Sequence, residues 1–176
     1  MKSITFLLLI SYLSIVSCKE PPIVFDEPQP ESIRSINNFP SRYVGEYFSL
    51  NDSAILTIER NIIRKNYINR DTIPNQIYID TLFALAKGDV LKKWRGYYFL
   101  NSFRKSNDWE VRKLKVRNGV ITIGEISSIE DIEKTETIFE TAYDTSTVYK
   151  VKPTKKQLKK FIEANGFGDE EIFVRQ

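Results

Sequence analysis

The dipeptide Asn118-Gly119, set between two runs in which apolar and polar residues alternate, is the feature that leaves this chain least freedom. Asn-Gly readily takes positive φ at both central positions of a type I′ hairpin turn, whose twist matches that of the flanking strands. With these residues as the loop, Val116 stands opposite Ile121 and Leu114 opposite Ile123. All four then share one face, while Lys115, Arg117 and Thr122 share the other. Turn chemistry and apolar pattern agree on one register, because a slip of one residue would turn every apolar side chain to the wrong face. An antiparallel sheet follows.

The same texture runs from Arg42 onward, as short stretches rich in Ile, Val, Thr, Tyr and Phe punctuated by Asn, Asp, Gly and Ser. Tyr43 to Leu50 and Ala54 to Arg60 flank Asn51-Asp52-Ser53 and read as a hairpin. Ile62 to Ile68, Ile77 to Lys87, Val90 to Trp94, Tyr97 to Phe103, Trp109 to Arg117 and Val120 to Ser127 read as further strands. The Ile77 segment also carries Leu82, Leu85 and Ala86 at helical spacing, and is taken as strand on its alternation of Ile77, Ile79, Phe83 and Leu85.

The last third changes character. Ser128 caps a brief helix through Lys134, and Thr135 to Val151 reads as one or two strands. Pro153 introduces a second helix with Thr154 and Gln157 as a capping box, an apolar stripe of Leu158, Phe161 and Ile162, and Asn165-Gly166 as its stop. Lys155 and Lys156 in its first turn oppose the macrodipole, so the apolar face and the cap must hold it. Ile172 to Val174 reads as a short closing strand.

The N-terminus is of another kind. Met1-Lys2-Ser3 is a short positive region and Ile4 to Val16 is apolar apart from Thr5, Ser11, Tyr12 and Ser14. Such a run is shorter than the roughly 20 apolar residues of a membrane-spanning helix. It ends in Ile15-Val16-Ser17-Cys18, which resembles the lipobox of bacterial lipoproteins. That resemblance implies removal of residues 1–17 as a signal peptide, diacylglycerol on the Cys18 sulfur and acylation of the new amine by a chain such as palmitate. Lys19 stands where an Asp would signal inner-membrane retention in some families, so the expected address is the cell envelope, at the outer membrane, on its periplasmic side or surface. Lys19-Glu20 resembles in two residues the charged export tag of surface lipoproteins of the Bacteroidota. Lys19 to Pro40 carries Pro21, Pro22, Pro28, Pro30 and Pro40 and few large apolar residues. This composition predicts a partly extended tether over 18–40 that sets one globular domain, 41–176, off the membrane.

The inventory of reactive groups is short. The chain has no His, and its one Cys is Cys18. Imidazole acid–base chemistry, thiol nucleophiles and ordinary zinc sites are therefore excluded from the mature domain. No Gly-rich phosphate loop, nucleophile elbow or EF-hand spacing occurs. The expectation is a protein that is not an enzyme, with no catalytic residue, no metal and no cofactor. With a formal charge of +3 for the whole chain, nothing pulls strongly toward nucleic acid, and none is expected as a partner.

Two patterns invite a functional reading. Lys92, Lys93, Arg95, Arg104, Lys105, Arg112, Lys113, Lys115 and Arg117 cluster between 92 and 117, and an acidic run follows from Glu125 to Asp144. Either the basic run faces an acidic partner, such as lipid headgroups or an anionic glycan, or neighbouring elements pair and the surface is solvated; the second is the ordinary case. Tyr43, Tyr47, Phe48, Trp94, Tyr97, Tyr98, Phe99, Phe103 and Trp109 could likewise line a pocket, though at strand spacing they read first as core.

The expected fold is mainly β, an antiparallel barrel or sandwich of about eight to ten strands with one C-terminal helix and a short closing strand. Gly45-Glu46-Tyr47 opening the first strand, with a helix and strand at the end, resembles the lipocalins, whose motif has Trp where this chain has Tyr47. The resemblance supplies no ligand. The function expected is a membrane-anchored envelope lipoprotein that binds or docks without catalysis, its partner an envelope protein or an apolar or glycan ligand. The alternative is an interaction or protective lipoprotein, such as an inhibitor or immunity protein, acting through its surface. A wide apolar interior would favour a ligand carrier, and a filled core with a charged or aromatic patch would favour surface action.

Overall fold

The computed structural model describes residues 23–69, 76–104, 107–141 and 148–175; Cys18 and residues 1–17 lie outside the described residues. Two meanders make up most of the fold. The first comprises β3 (Gly45–Ser49), β4 (Ile55–Ile58), β5 (Ile62–Asn69) and β6 (Gln76–Ala84). The second comprises β7 (Val90–Trp94), β8 (Tyr97–Phe103), β9 (Trp109–Arg117) and β10 (Val120–Glu125). The C-terminal strand β12 (Asp169–Arg175) lies between them, antiparallel to both β10 and β3. It is thus the central strand that fuses the two meanders. With β2 (Ser35–Ile36) beside β7, ten strands form one path, curled into a half-barrel. This is the mainly antiparallel β fold expected.

Local chemistry set most of these elements. Asn118 and Gly119 have φ of 52° and 77°, as a type I′ turn requires. Val116 pairs with Ile121 and Leu114 with Ile123. Replacing Gly119 with valine is expected to cost about 1–3 kcal/mol, since a β-branched residue is strained at positive φ. A thermal melt of the purified domain checks this, and an unchanged midpoint would mean that the turn is not under this constraint. At the β3–β4 turn, Ser49 Oγ accepts the Asn51 and Asp52 N–H groups and Asp52 Oδ1 accepts that of Ala54. Leu82 is an extra residue in β6, since Ile63 pairs with Phe83 and Arg64 with Thr81. The bulge lets both Leu82 and Phe83 pack inward.

Both faces of the sheet are covered. The concave face is filled by a core that includes Phe39, Tyr47, Leu56, Ile63, Phe83, Leu100, Leu114, Ile121 and Phe173. Behind β8 and β9 lies a second core, in which Phe99 and Val111 meet α1 (Ile129–Phe139) and α2 (Lys155–Glu163). Ser128 caps α1 by accepting the Asp131 N–H at 3.1 Å. In α2 the capping box forms, with Gln157 N–H donating to Thr154 Oγ1 and Thr154 N–H to Gln157 Oε1. Asn165, at φ 54°, takes the left-handed position that ends the helix, leaving Gly166 to serve another purpose.

Two expectations need correction. The first is the extent of the helix that Ser128 caps: α1 is a full three-turn helix reaching Phe139, so Thr135 to Phe139 is not strand. Ile132, Thr135 and Phe139 recur on one side at helical spacing and pack toward the second core, and this burial overrides the β-branched composition. Of the remainder, β11 (Tyr149–Val151) is a strand and 142–147 lie outside the described residues.

The second is the tether, which from Ile23 onward is built into the domain. Ile23–Phe25 forms β1, wholly buried, parallel to β11 and touching β9 where Phe25 pairs with Trp109. Farther on, Phe39 enters the concave core at 1% exposure. Prolines 28 and 30 do not keep the segment off the fold, because polar side chains replace the ladder they interrupt. Asn101 Oδ1 accepts the Gln29 N–H at 2.6 Å, and Asn101 Nδ2 donates to the Gln29 and Val90 carbonyls at 3.0 and 2.9 Å. Lys92, buried at 8% exposure, donates to the Pro28 and Pro30 carbonyls.

Candidate functional site

The half-barrel does not close by a backbone ladder between β6 and the second meander. Side chains bridge the seam instead. Asp89 accepts the N–H groups of Ala84 and Phe103 at 2.7 and 3.0 Å, and Ser102 Oγ donates to the Leu82 carbonyl at 3.1 Å. Beside this seam two adjoining hollows, of roughly 190 and 240 Å³, share Asp80, Leu82 and Arg112 as a common wall. Lys65, Tyr67, Ile123, Glu125, Asp169 and Glu171 complete the inner hollow. The outer one is completed by Thr81, Lys87, Asp89, Ser102, Phe103 and Arg104.

Two cations organise the walls, each gripped by two carboxylates. Lys65, 3% exposed, lies 2.6 Å from Glu171 Oε2 and 3.2 Å from Asp52 Oδ2, over the rings of Tyr67 and Phe173. Arg112 pairs with Glu110 and with Glu125 at 3.1 Å, and Glu110 also binds Arg104. Four charged residues of the lining, Asp80, Lys87, Asp89 and Asp169, have no ion pair among the described residues. Asp89 is spent on backbone N–H groups and Asp169 on Ser127, so Asp80 and Lys87 are the charges left for a ligand. Such walls present fixed donors and acceptors with Tyr67 as an aromatic edge, which suits a polar ligand or a polar protein surface. No set of three or more acids among the described residues is arranged to hold a metal ion.

The Lys65 cluster also predicts a pH response. Burial acts to lower the Lys65 pKa, but the hydrogen bonds to Glu171 and Tyr67 outweigh it and hold the ammonium above the usual lysine range. Burial acts to raise Asp52, and its bonds with Ser49, Ala54 and Lys65 outweigh that and hold the carboxyl below its usual value. A depressed carboxylate stabilises the fold above its ordinary pKa, and this is lost as pH falls through the folded value. Raised Lys65 contributes below the ordinary lysine pKa and loses that only as pH rises. The stability difference between the parent and Lys65→Met is therefore expected to shrink on the acid side, from about pH 5 down. Urea denaturation across that range measures it; a difference independent of pH would contradict the pairing.

Most residues singled out in the sequence are structural. Tyr47, Tyr98 and Phe99 are core, and Tyr43 packs edge-on against Tyr98 at 5.9 Å. Phe48, Trp94 and Tyr97 are half-buried. Of the nine aromatics only Phe103 borders the cleft, 45% exposed and edge-on to Trp109. Of the basic run, Arg95, Arg104, Arg112 and Lys113 pair with acidic neighbours, and Lys92 is held by backbone carbonyls. Lys93, Lys115 and Arg117 have no ion pair among the described residues, and Lys105 lies outside them. Lys65, Tyr67, Asp80 and Lys87 were not anticipated. Lys65 did leave a signal, since it occupies the inward parity between Ile63 and Tyr67 in an otherwise regular alternation.

No protein-family model, curated protein sequence or solved structure matches the chain. The site is therefore read from its own geometry.

Proposed function

We propose that this is a membrane-anchored envelope lipoprotein, held at the outer membrane by lipid on Cys18, that binds or docks a polar partner through its surface without catalysis. The observation that carries the binding part is the contrast between a concave face filled by large side chains and an open, charged cleft at the seam. A filled interior leaves an apolar ligand no room where a carrier would hold it, whereas the cleft offers Asp80 and Lys87 to a glycan or protein. The filled core equally suits the inhibitor or immunity-protein reading, in which the surface alone acts.

The anchor part rests on the order of charge, apolar run, Ser17 and Cys18. No helix among the described residues is long and apolar enough to cross a membrane, and two or three acyl chains would supply attachment, at about 0.8 kcal/mol per buried CH₂. Expressed in a bacterium that processes lipoproteins, the protein is expected to begin at a diacylglyceryl Cys18 and to sediment with membranes. Cys18→Ser is expected to accumulate as uncleaved precursor or to be released. Mass spectrometry of the N-terminal peptide decides; a mature protein bearing unmodified Cys18 would defeat the proposal.

A further inference from the structure

The fold joins two basic segments that are far apart in sequence. Lys156, Lys159, Lys160 and Glu163 recur at i, i+3, i+4 and i+7, on the side of α2 opposite buried Leu158 and Phe161. The end of this helix meets the β7–β8 turn, where Arg95 lies 3.8 Å from Glu163 and shares that carboxylate with Lys159. Next along the sheet, the Lys115 ammonium lies 5.6 Å from the Tyr97 ring, and Arg117 follows on the same face of β9. The band thus holds Arg95, Lys115, Arg117, Lys156, Lys159 and Lys160 against Glu163, with Trp94 and Tyr97 within it, partly buried against the second core. At its edge Lys113 is neutralised by Glu170.

Helix stability does not account for all of these lysines, since Lys160 suits the last turn of α2 but Lys156 does not suit the first. Lys155 and Lys156 stand in the first turn of α2, where positive charge opposes the macrodipole, and the Thr154–Gln157 box already satisfies the cap. From these observations we infer that the band is a docking surface for an anionic membrane, its lysines and arginines meeting lipid phosphates and its Trp94 and Tyr97 rings lying at headgroup level. The orientation rests on the lipid-anchor reading, which brings the surface within reach. Five residue steps separate Cys18 from β1, a span of at most about 18 Å, so the domain must lie against the bilayer that holds the lipid.

Vesicle sedimentation of the mature chain with Cys18→Ser, which removes acylation, isolates the surface from the anchor. Vesicles of phosphatidylcholine containing phosphatidylglycerol are expected to bind at least tenfold more tightly than phosphatidylcholine alone, and added salt is expected to abolish the difference. Each basic residue at such a surface is worth about fivefold in affinity, so the combined K115E/K156E/K160E variant is expected to lose on the order of a hundredfold. R60E, at the exposed turn between β4 and β5 and away from both band and cleft, is expected to bind as the parent does. Melting curves matched to the parent, and the milder K115Q/K156Q/K160Q variant, separate lost binding from lost folding. Equal affinity for both vesicles, undiminished binding by the triple variants, or tighter binding to a soluble anionic polysaccharide than to vesicles would overturn the inference. Its failure with lipid found on Cys18 would leave the anchor standing, and vesicle binding with unmodified Cys18 would do the reverse.

Discussion

Asn101→Leu is expected to lower the unfolding free energy by about 3–5 kcal/mol and to expose the residues before β2 to protease. Asn101 is 0% exposed, and its amide does for Gln29 what a neighbouring strand would do, accepting the N–H and donating to the carbonyl. Its Nδ2 also serves the Val90 and Phe99 carbonyls. Leucine leaves the Gln29 N–H and at least one carbonyl buried without partners, at about 1–3 kcal/mol for each. Asn101→Asp keeps the shape and the acceptor but loses the donor, setting a carboxylate against three carbonyls, and is expected to be as damaging. Chemical denaturation gives the loss, and limited trypsin digestion at Arg34 shows whether the segment has come away. A variant with parental stability would mean that β1, Lys92 and Phe39 hold the segment without Asn101.

Phe161→Ala is expected to cost about 4 kcal/mol, the range for emptying a buried phenylalanine site. Phe161 is wholly buried, with ring centroids 4.8 Å from Phe139 and 5.3 Å from Phe167, so it ties α1, α2 and the approach to β12 together. Gly166 makes this contact specific, because a Cβ there would fall inside the Phe161 ring. Gly166→Ala is expected to cost about 1–3 kcal/mol by overpacking, and much less in a Phe161→Leu background. Equilibrium unfolding of the four proteins of this double-mutant cycle measures the coupling. Additive losses would show that Gly166 is needed for its backbone and not for room.

Wherever turn or cap chemistry and apolar period agree within a few residues, the sequence is enough. It determined the Asn118-Gly119 turn with its register, the strands between Gly45 and Glu125, the Thr154–Gln157 cap and the mainly antiparallel class, since each depends on sterics and hydrogen bonds among near neighbours. The run ending at Cys18, on which the proposed lipid anchor rests, is legible for the same reason, as a local pattern that resembles a lipobox. The sequence did not show that Leu85 to Lys87, read as the end of a strand, would close into a 3₁₀ turn. Tertiary structure decided what depends on contacts between distant residues. It placed β12 between the two meanders, extended α1 to Phe139 by burying its face, and drew Pro28 to Pro30 onto the sheet through Asn101 and Lys92. The cleft belongs to this second kind. Lys65 and Glu171 are 106 residues apart, and the bond that holds the buried ammonium against its desolvation exists only once the half-barrel has curled around it.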